Sequence, residues 1–114
     1  MKIIKYNNAE KGSNSDKCET IEYSFKDKDI DLGIAIITGR YPESGYCKNL
    51  ISKELIYVIE GNGTIHFENE SVSFSAGDSI LIEHDEKYYW NSNYCKVSMT
   101  CTPAWNKEQH QLVK

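Results

Sequence analysis

Apolar and polar residues alternate along most of this chain. A period of two is found in four segments: 21–26, 30–36, 71–75 and 96–101. Successive side chains of a β-strand point to opposite faces, so this alternation predicts strands with one buried face and one solvent-facing face. Segments 55–59 and 80–82 are instead apolar at every position, which predicts central strands that are covered on both faces.

Turn sequences separate these predicted strands at short intervals. They are rich in Gly, Asn and Asp, which accept the backbone conformations of tight turns, and they lie at 27–29, 61–63, 69–70, 76–78 and 84–86. About ten short strands at this spacing are typical of an all-β sandwich or barrel. The only predicted helix is 106–113, and the polar segment 7–17 is predicted to be a mobile loop.

Composition narrows the class of protein. A chain of 114 residues with 39% apolar and 26% charged residues fits one globular domain. The net charge is −4 and no Lys/Arg cluster is present, which argues against nucleic acid and anionic membranes as partners. No apolar run is long enough for a membrane span, and segment 1–5 does not resemble a signal peptide. We therefore expect a cytoplasmic protein with free thiols at Cys18, Cys47, Cys95 and Cys101.

The centre of the chain resembles the cupin superfamily. Its first motif is matched by Gly45, Glu54, 57–61 and Gly63, with the family's spacing from Glu54 to Gly61, and its second by 77–82 and 88–91. The resemblance covers residues 33–101. It implies a double-stranded β-helix, or jelly-roll barrel, that is often a homodimer. We expect one domain in three parts: N-terminal strands and a loop that join the barrel or a dimer seam (1–32), the barrel core (33–101), and a tail or short helix (102–114).

The resemblance does not extend to the family's usual metal ligands. Cupin enzymes commonly bind a divalent metal through a His-x-His pair, the motif glutamate and a second-motif histidine. Here the pair falls on Cys47 and Asn49, or on Lys48 and Leu50 with one spacer residue fewer, and the last histidine falls on Tyr88. We therefore expect no cofactor, and a divalent transition metal stays an alternative because weaker donors remain. Its ligands would be Cys47, Asn49, Glu54 and Tyr88.

The histidines of the chain lie elsewhere. His66 alternates with apolar neighbours and is expected at the surface, His84 lies in an acidic turn, and His110 lies in a polar tail. None of them is expected to bind a metal at the motif glutamate.

Glu54 is the first candidate for chemistry. A carboxylate in an apolar run is costly to bury unless a cation pairs with it or its pKa rises. The candidate cations are Arg40, Lys48 and Lys53. With a raised pKa, Glu54 would act as a proton donor or base, with Tyr88 as its partner.

A ligand pocket is predicted beside that carboxyl group. Alternation places Tyr88 and Trp90 on one face, where they would line the barrel mouth. Arg40 could clamp an anionic group of a ligand. The predicted ligand-binding residues are Arg40, Asn49, Glu54, Tyr88 and Trp90.

Three functions are compatible with these residues. The favoured hypothesis is a small cupin-type barrel that binds an unidentified small molecule in its interior without a functional metal. The second is a metal-dependent cupin enzyme of the dioxygenase, isomerase or lyase class with unusual ligands. The third is a structural dimeric scaffold whose interior is filled by side chains. Fold class does not decide among them.

Overall fold

Ten antiparallel strands form one curled sheet in the computed structural model, which describes residues 1–114. The strands are β1 (Glu10–Ser15), β2 (Cys18–Tyr23), β3 (Asp31–Ile37), β4 (Arg40–Tyr41), β5 (Tyr46–Asn49), β6 (Lys53–Phe67), β7 (Ser71–Ser75), β8 (Ser79–Ile82), β9 (Tyr88–Thr102) and β10 (His110–Val113). Two single 3-10 turns complete the secondary structure, at Tyr6–Asn8 and Lys107–Gln109. The all-β prediction is confirmed.

The two longest strands connect the parts of the sheet. β6 and β9 have 15 residues each and pair from Lys53↔Thr102 to Phe67↔Tyr88. β6 also pairs with β7 and β8, whereas β9 also pairs with β3, β4 and β5. Because each long strand has different neighbours along its length, the sheet curls and encloses an interior.

The interior contains apolar side chains from β3, β6 and β9. In β3 the buried positions are Ala35 and Ile37, whereas Leu32 of the alternating apolar set is 36% exposed, so alternation predicted the strand but not the face that it buries. Ile56 and Val58 of β6, Val97 of β9 and Ile37 of β3 are at most 1% exposed and belong to one core cluster. Burying such side chains stabilises the fold by about 1.5–3 kcal/mol each.

The outer face of β6 and β8 is not covered. Leu55, Tyr57 and Leu81 are 51%, 51% and 53% exposed. The prediction that segments 55–59 and 80–82 are covered on both faces is therefore wrong. An unbroken apolar run shows that both faces can be apolar, but it does not show that a second layer covers the outer one.

The predicted turn at 61–63 is also wrong, because these residues lie inside β6. The β6–β9 register shifts on both sides of this segment, and Gly61 has φ +83°. A Cβ at Gly61 would lie 2.2 Å from the Tyr94 carbonyl oxygen. Glycine serves a bulge for the same reasons that it serves a turn, namely positive φ and close backbone approach.

Two terminal predictions need correction. The segment predicted as a mobile loop, 7–17, contains β1, which pairs with β2. The helix predicted over 106–113 is only the 3-10 turn Lys107–Gln109, followed by β10, which pairs with β5. Both strands are short and polar, so they lack the apolar alternation that identified the others. Neither helical segment of the chain has the length and apolar character that crossing a membrane requires.

Candidate functional site

A cavity of about 130 Å³ lies inside the curled sheet. An engineered apolar cavity of about 150 Å³ accepts benzene, so this volume suits a small organic molecule. Its wall is largely apolar, with polar groups from six strands; these are Glu22, Asp31, Tyr41, Glu54, Tyr88 and His110. A mostly apolar wall with a few convergent polar groups is typical of a ligand site.

Glu54 is the most deeply buried acidic side chain of this wall. It lies near the start of β6, opposite Cys101 of β9, and is 5% exposed. Its Oε1 accepts hydrogen bonds from Asn49 Nδ2 at 2.5 Å and from the Tyr88 hydroxyl at 3.4 Å. No lysine or arginine forms an ion pair with it. Loss of hydration raises the pKa of the Glu54 carboxyl group, which favours its protonated form.

The hydrogen bonds of Asn49 are fixed by a donor that cannot accept. Trp105 Nε1 and His110 Nδ1 each lie 3.0 Å from Asn49 Oδ1. An indole N–H only donates, so the amide oxygen must face Trp105 and the amide NH₂ must face Glu54. Asn49 therefore links both residues to the buried carboxyl group.

This orientation also sets the tautomer of His110. Because Asn49 Oδ1 only accepts, the imidazole proton is on Nδ1 and the lone pair is on Nε2. His110 Nε2 lies 3.3 Å from the Tyr41 hydroxyl, which donates to it. Burial lowers the pKa of His110, so the neutral ring is favoured and Nε2 is a potential base on the cavity wall.

Sequence reasoning missed His110 and gave Trp105 no part in the site. His110 was expected in a polar tail, but β10 places it directly opposite Asn49 of β5. The contact joins residues 61 positions apart, and four residues of β10 carry too little pattern to reveal the pairing. No local signal in the sequence could have found it.

The structure brings together four of the five predicted ligand-binding residues. Glu54, Tyr88 and Trp90 line the cavity, and Asn49 bonds to the first of them. Tyr88 and Trp90 share the inward face of β9, each 3% exposed.

Arg40 does not reach this cavity. Its guanidinium donates to the carbonyl oxygens of Glu43 and Gly45, at 2.8 and 3.0 Å. The same group lies 3.8 Å from the centre of the Tyr89 ring. Arg40 thus stabilises the loop between β4 and β5, and it neither pairs with Glu54 nor faces the enclosed space.

The other expected partners of Glu54 lie outside as well. Lys48 and Lys53 pair with Asp85 and Glu83. His66 stacks on Tyr89 with ring centres 4.4 Å apart, and His84 is exposed. No cation of the protein compensates a charge on Glu54.

Comparison with known proteins supports the fold. No family model and no curated protein matches the sequence. Pac13, described as a unique nucleoside dehydratase, is similar in structure with a TM-score of 0.86 and 19% identity over 100% of this chain and 92% of that one. A Streptomyces PAC13 variant with uridine has a TM-score of 0.84 at 20% identity, covering 100% and 93%.

A third similar structure is described as a cupin. An RmlC-like cupin from Shewanella frigidimarina has a TM-score of 0.74 and 14% identity, with 90% of each chain covered. The chain has the cupin fold. The cupin resemblance read from the two motifs is thereby confirmed, as is the jelly-roll prediction. The cavity and these neighbours are compatible with small-molecule binding.

The side chains at the usual cupin ligand positions fit a divalent metal poorly. Burial raises the pKa of Cys47 to about 12 and that of Tyr88 well above its ordinary value, so both are protonated in the metal-free protein, and an ion would have to displace a proton to gain either as an anionic ligand. The Asn49 oxygen already accepts two hydrogen bonds. Without such proton loss only Glu54 could supply a negative charge, and three neutral donors do little to offset dehydration of the ion. No cluster of three or more His, Cys, Asp or Glu side chains is arranged to hold an ion.

Proposed function

We propose that this cupin barrel binds a small organic molecule in its interior cavity, with Glu54 as the anchor and without a metal ion. The observation that carries this proposal is the state of the Glu54 carboxyl group. Both of its hydrogen bonds reach Oε1. Every fully enclosed side-chain polar atom has a partner, so the unpaired Oε2 is open to the cavity and available to a ligand.

The neighbours of Glu54 order its carboxyl group before a ligand binds. Asn49 is fixed by Trp105 and His110, and Tyr88 supports the same oxygen from β9. A binding group that is already ordered loses little conformational entropy when the ligand arrives. Tyr88 and Trp90 supply the apolar wall against which the ligand would pack.

Acid–base catalysis is a second candidate function, favoured by the tautomer of His110. The lone pair of His110 Nε2 accepts the Tyr41 hydroxyl and would exchange that hydrogen bond for a substrate proton, whereas Glu54 favours its protonated form. Both residues line one cavity. Loss of water from a substrate needs a base that takes a proton from carbon and an acid that protonates the departing hydroxyl group. Pac13 is described as a nucleoside dehydratase, so we propose uridine as the first substrate to test. Tyr88, which donates to Glu54, would position the acid.

Binding can be tested by thermal shift and isothermal titration calorimetry with uridine, sugars, amino acids and carboxylates. A ligand at about 100 times its Kd stabilises the folded protein by about 2.7 kcal/mol. We expect Glu54→Gln to weaken that stabilisation, because the amide cannot replace the carboxyl group at Oε2. Glu70→Gln, in the exposed turn between β7 and β6, is the matched control and should bind as the wild type does.

Two results would contradict the proposal. The first is a panel in which no compound stabilises the protein, or in which Glu54→Gln binds as tightly as the wild type. The second concerns the metal, and is tested by elemental analysis of protein purified without chelator. A transition metal near one per chain that is lost in Glu54→Ala would favour the metal-dependent cupin enzyme instead.

We also propose that the protein is a cytoplasmic homodimer. Four buried cysteines without disulfides suit a reducing compartment. The exposed apolar residues Leu55, Tyr57 and Leu81 on the outer face of β6 and β8 offer a surface for self-association.

A further inference from the structure

The ionisable side chains of the cavity wall are predominantly acidic. Glu22 of β2, Asp31 of β3 and Glu54 of β6 come from three different strands, and no lysine or arginine is present among the twenty lining residues. His110 is the only basic side chain there, and burial favours its neutral form. The wall therefore holds three acidic groups and no positive side chain that could compensate those that ionise.

These three carboxyl groups act on one another. Loss of hydration raises the pKa of each of them, and Asp31 raises the pKa of both Glu22 and Glu54 further by repulsion. The three ion pairs of the protein all lie elsewhere. Asp31 Oδ2 accepts the Trp105 backbone N–H at 3.0 Å, and a hydrogen bond with the Cys101 side chain also lowers the pKa of Asp31; neither partner carries a positive charge. A positive charge inside the cavity would be attracted by all three groups at once.

Aromatic rings line the same space. They come from β2, β4, β9 and the segment before β10, and they are Tyr23, Tyr41, Tyr88, Trp90 and Trp105. The face of an aromatic ring attracts a cation, most strongly where water is excluded. An amine with an apolar group would thus find acidic groups and aromatic rings within one cavity.

We propose that the ligand of this cavity is a small organic cation, an amine or quaternary ammonium compound with an apolar part. The inference deepens the proposed function and rests on it, because it presumes that the cavity binds a ligand. A carboxylate or phosphate would be repelled by the ionised members of Glu22, Asp31 and Glu54, with no lysine or arginine to hold it. An uncharged ligand would leave their repulsion unchanged, whereas a cation removes it.

Two sets of matched compounds separate charge from size. The first set is choline, the uncharged alcohol in which a tert-butyl group replaces the trimethylammonium group (3,3-dimethylbutan-1-ol), and the carboxylate 3,3-dimethylbutanoate. The second set is benzylamine, benzyl alcohol and benzoate. Calorimetric titration of the full-length protein should show the cation of a set binding about ten-fold or more tightly than its uncharged isostere. The anions should show no measurable binding.

Carboxyl-to-amide variants test the origin of this preference. Glu22→Gln and Asp31→Asn should each reduce the ratio of the Kd of the uncharged isostere to the Kd of the cation. Both variants retain an oxygen that can accept a hydrogen bond. Glu22 has an exposed side chain, so its variant keeps the test available if Asp31→Asn does not fold. Glu70→Gln should leave the ratio unchanged. A ratio that does not change in Glu22→Gln or Asp31→Asn would contradict the role of these carboxyl groups.

The failures of the two proposals are distinguishable. If uncharged or anionic compounds, including uridine, bind as tightly as the cations or more tightly, the inference about charge is overturned while binding in the cavity stands. If no compound of either set and none of the uridine, sugar, amino-acid and carboxylate panel binds, the proposed function itself fails, and the inference fails with it.

Discussion

Replacement of Asn49 by leucine would remove the centre of the polar network at nearly constant side-chain volume. Trp105 Nε1–H and His110 Nδ1–H would lose their acceptor, and Glu54 Oε1 would lose the closer of its two donors. An unsatisfied buried polar group costs about 1–3 kcal/mol. Trp105 and His110 are half-buried, so we use about 1 kcal/mol for each of the three losses, or about 3 kcal/mol in total. Burial of the leucine side chain offsets about 1 kcal/mol of this.

The expected net destabilisation of Asn49→Leu is therefore about 2 kcal/mol, or about 8 °C in Tm for a domain of this size. Scanning calorimetry at pH 7 measures this shift. A Tm within about 2 °C of the wild-type value would refute the network as a stabilising unit.

Asn49→Asp is the informative control for this prediction. The carboxylate keeps an acceptor for Trp105 and His110 but places a second acid against Glu54. Two adjacent carboxyl groups hold one proton between them more readily than none. The loss in Tm of Asn49→Asp relative to the wild type should therefore be smaller at pH 5 than at pH 8.

Three further outcomes follow from the structure. Gly61→Ala should lower the free energy of unfolding by more than about 3 kcal/mol, because the new Cβ would clash with the Tyr94 carbonyl oxygen. Gly77→Ala is the control, since Gly77 has φ +95° but no atom within 4 Å of a Cβ. It should lower the free energy by only about 1–2 kcal/mol, and urea unfolding measures both values. Burial raises the pKa of Glu54 above 4.5, so the wild type should lose stability relative to Glu54→Gln as pH rises from 5 to 8; parallel profiles would contradict this. Arg40→Lys should leave ligand affinity unchanged and lower the free energy of unfolding by about 1 kcal/mol, because the stacked guanidinium is lost; altered affinity would place Arg40 in the site after all.

The sequence predicted the fold because most strands bury only one face. Alternation identified β2, β3, β7 and the second half of β9, and the turn residues after β7 and β8 lie where they were expected. The errors arose where one signal has two structural meanings. Gly61 marks a bulge inside β6 rather than a turn, and the apolar run of β6 has an uncovered outer face.

The candidate site was predictable only where it lies within the cupin motifs. The motif spacing led to Glu54, Asn49 and Tyr88, and these residues do meet in the structure. His110 and Trp105 come from the last residues of the chain. They join the site through the pairing of β10 with β5, a contact that depends on tertiary structure and leaves no local pattern.

The protonation state of Glu54 distinguishes the two proposals for this cavity. A neutral ligand leaves the raised pKa of Glu54 in place, so the carboxyl group keeps its proton and can act as an acid toward the ligand. A cationic ligand favours the ionised carboxylate, so Glu54 gives up that proton on binding and can no longer supply it. Acid catalysis with Glu54 as proton donor therefore requires an uncharged substrate beside that carboxyl group, whereas tight binding of an amine there would make the protein a receptor rather than a dehydratase.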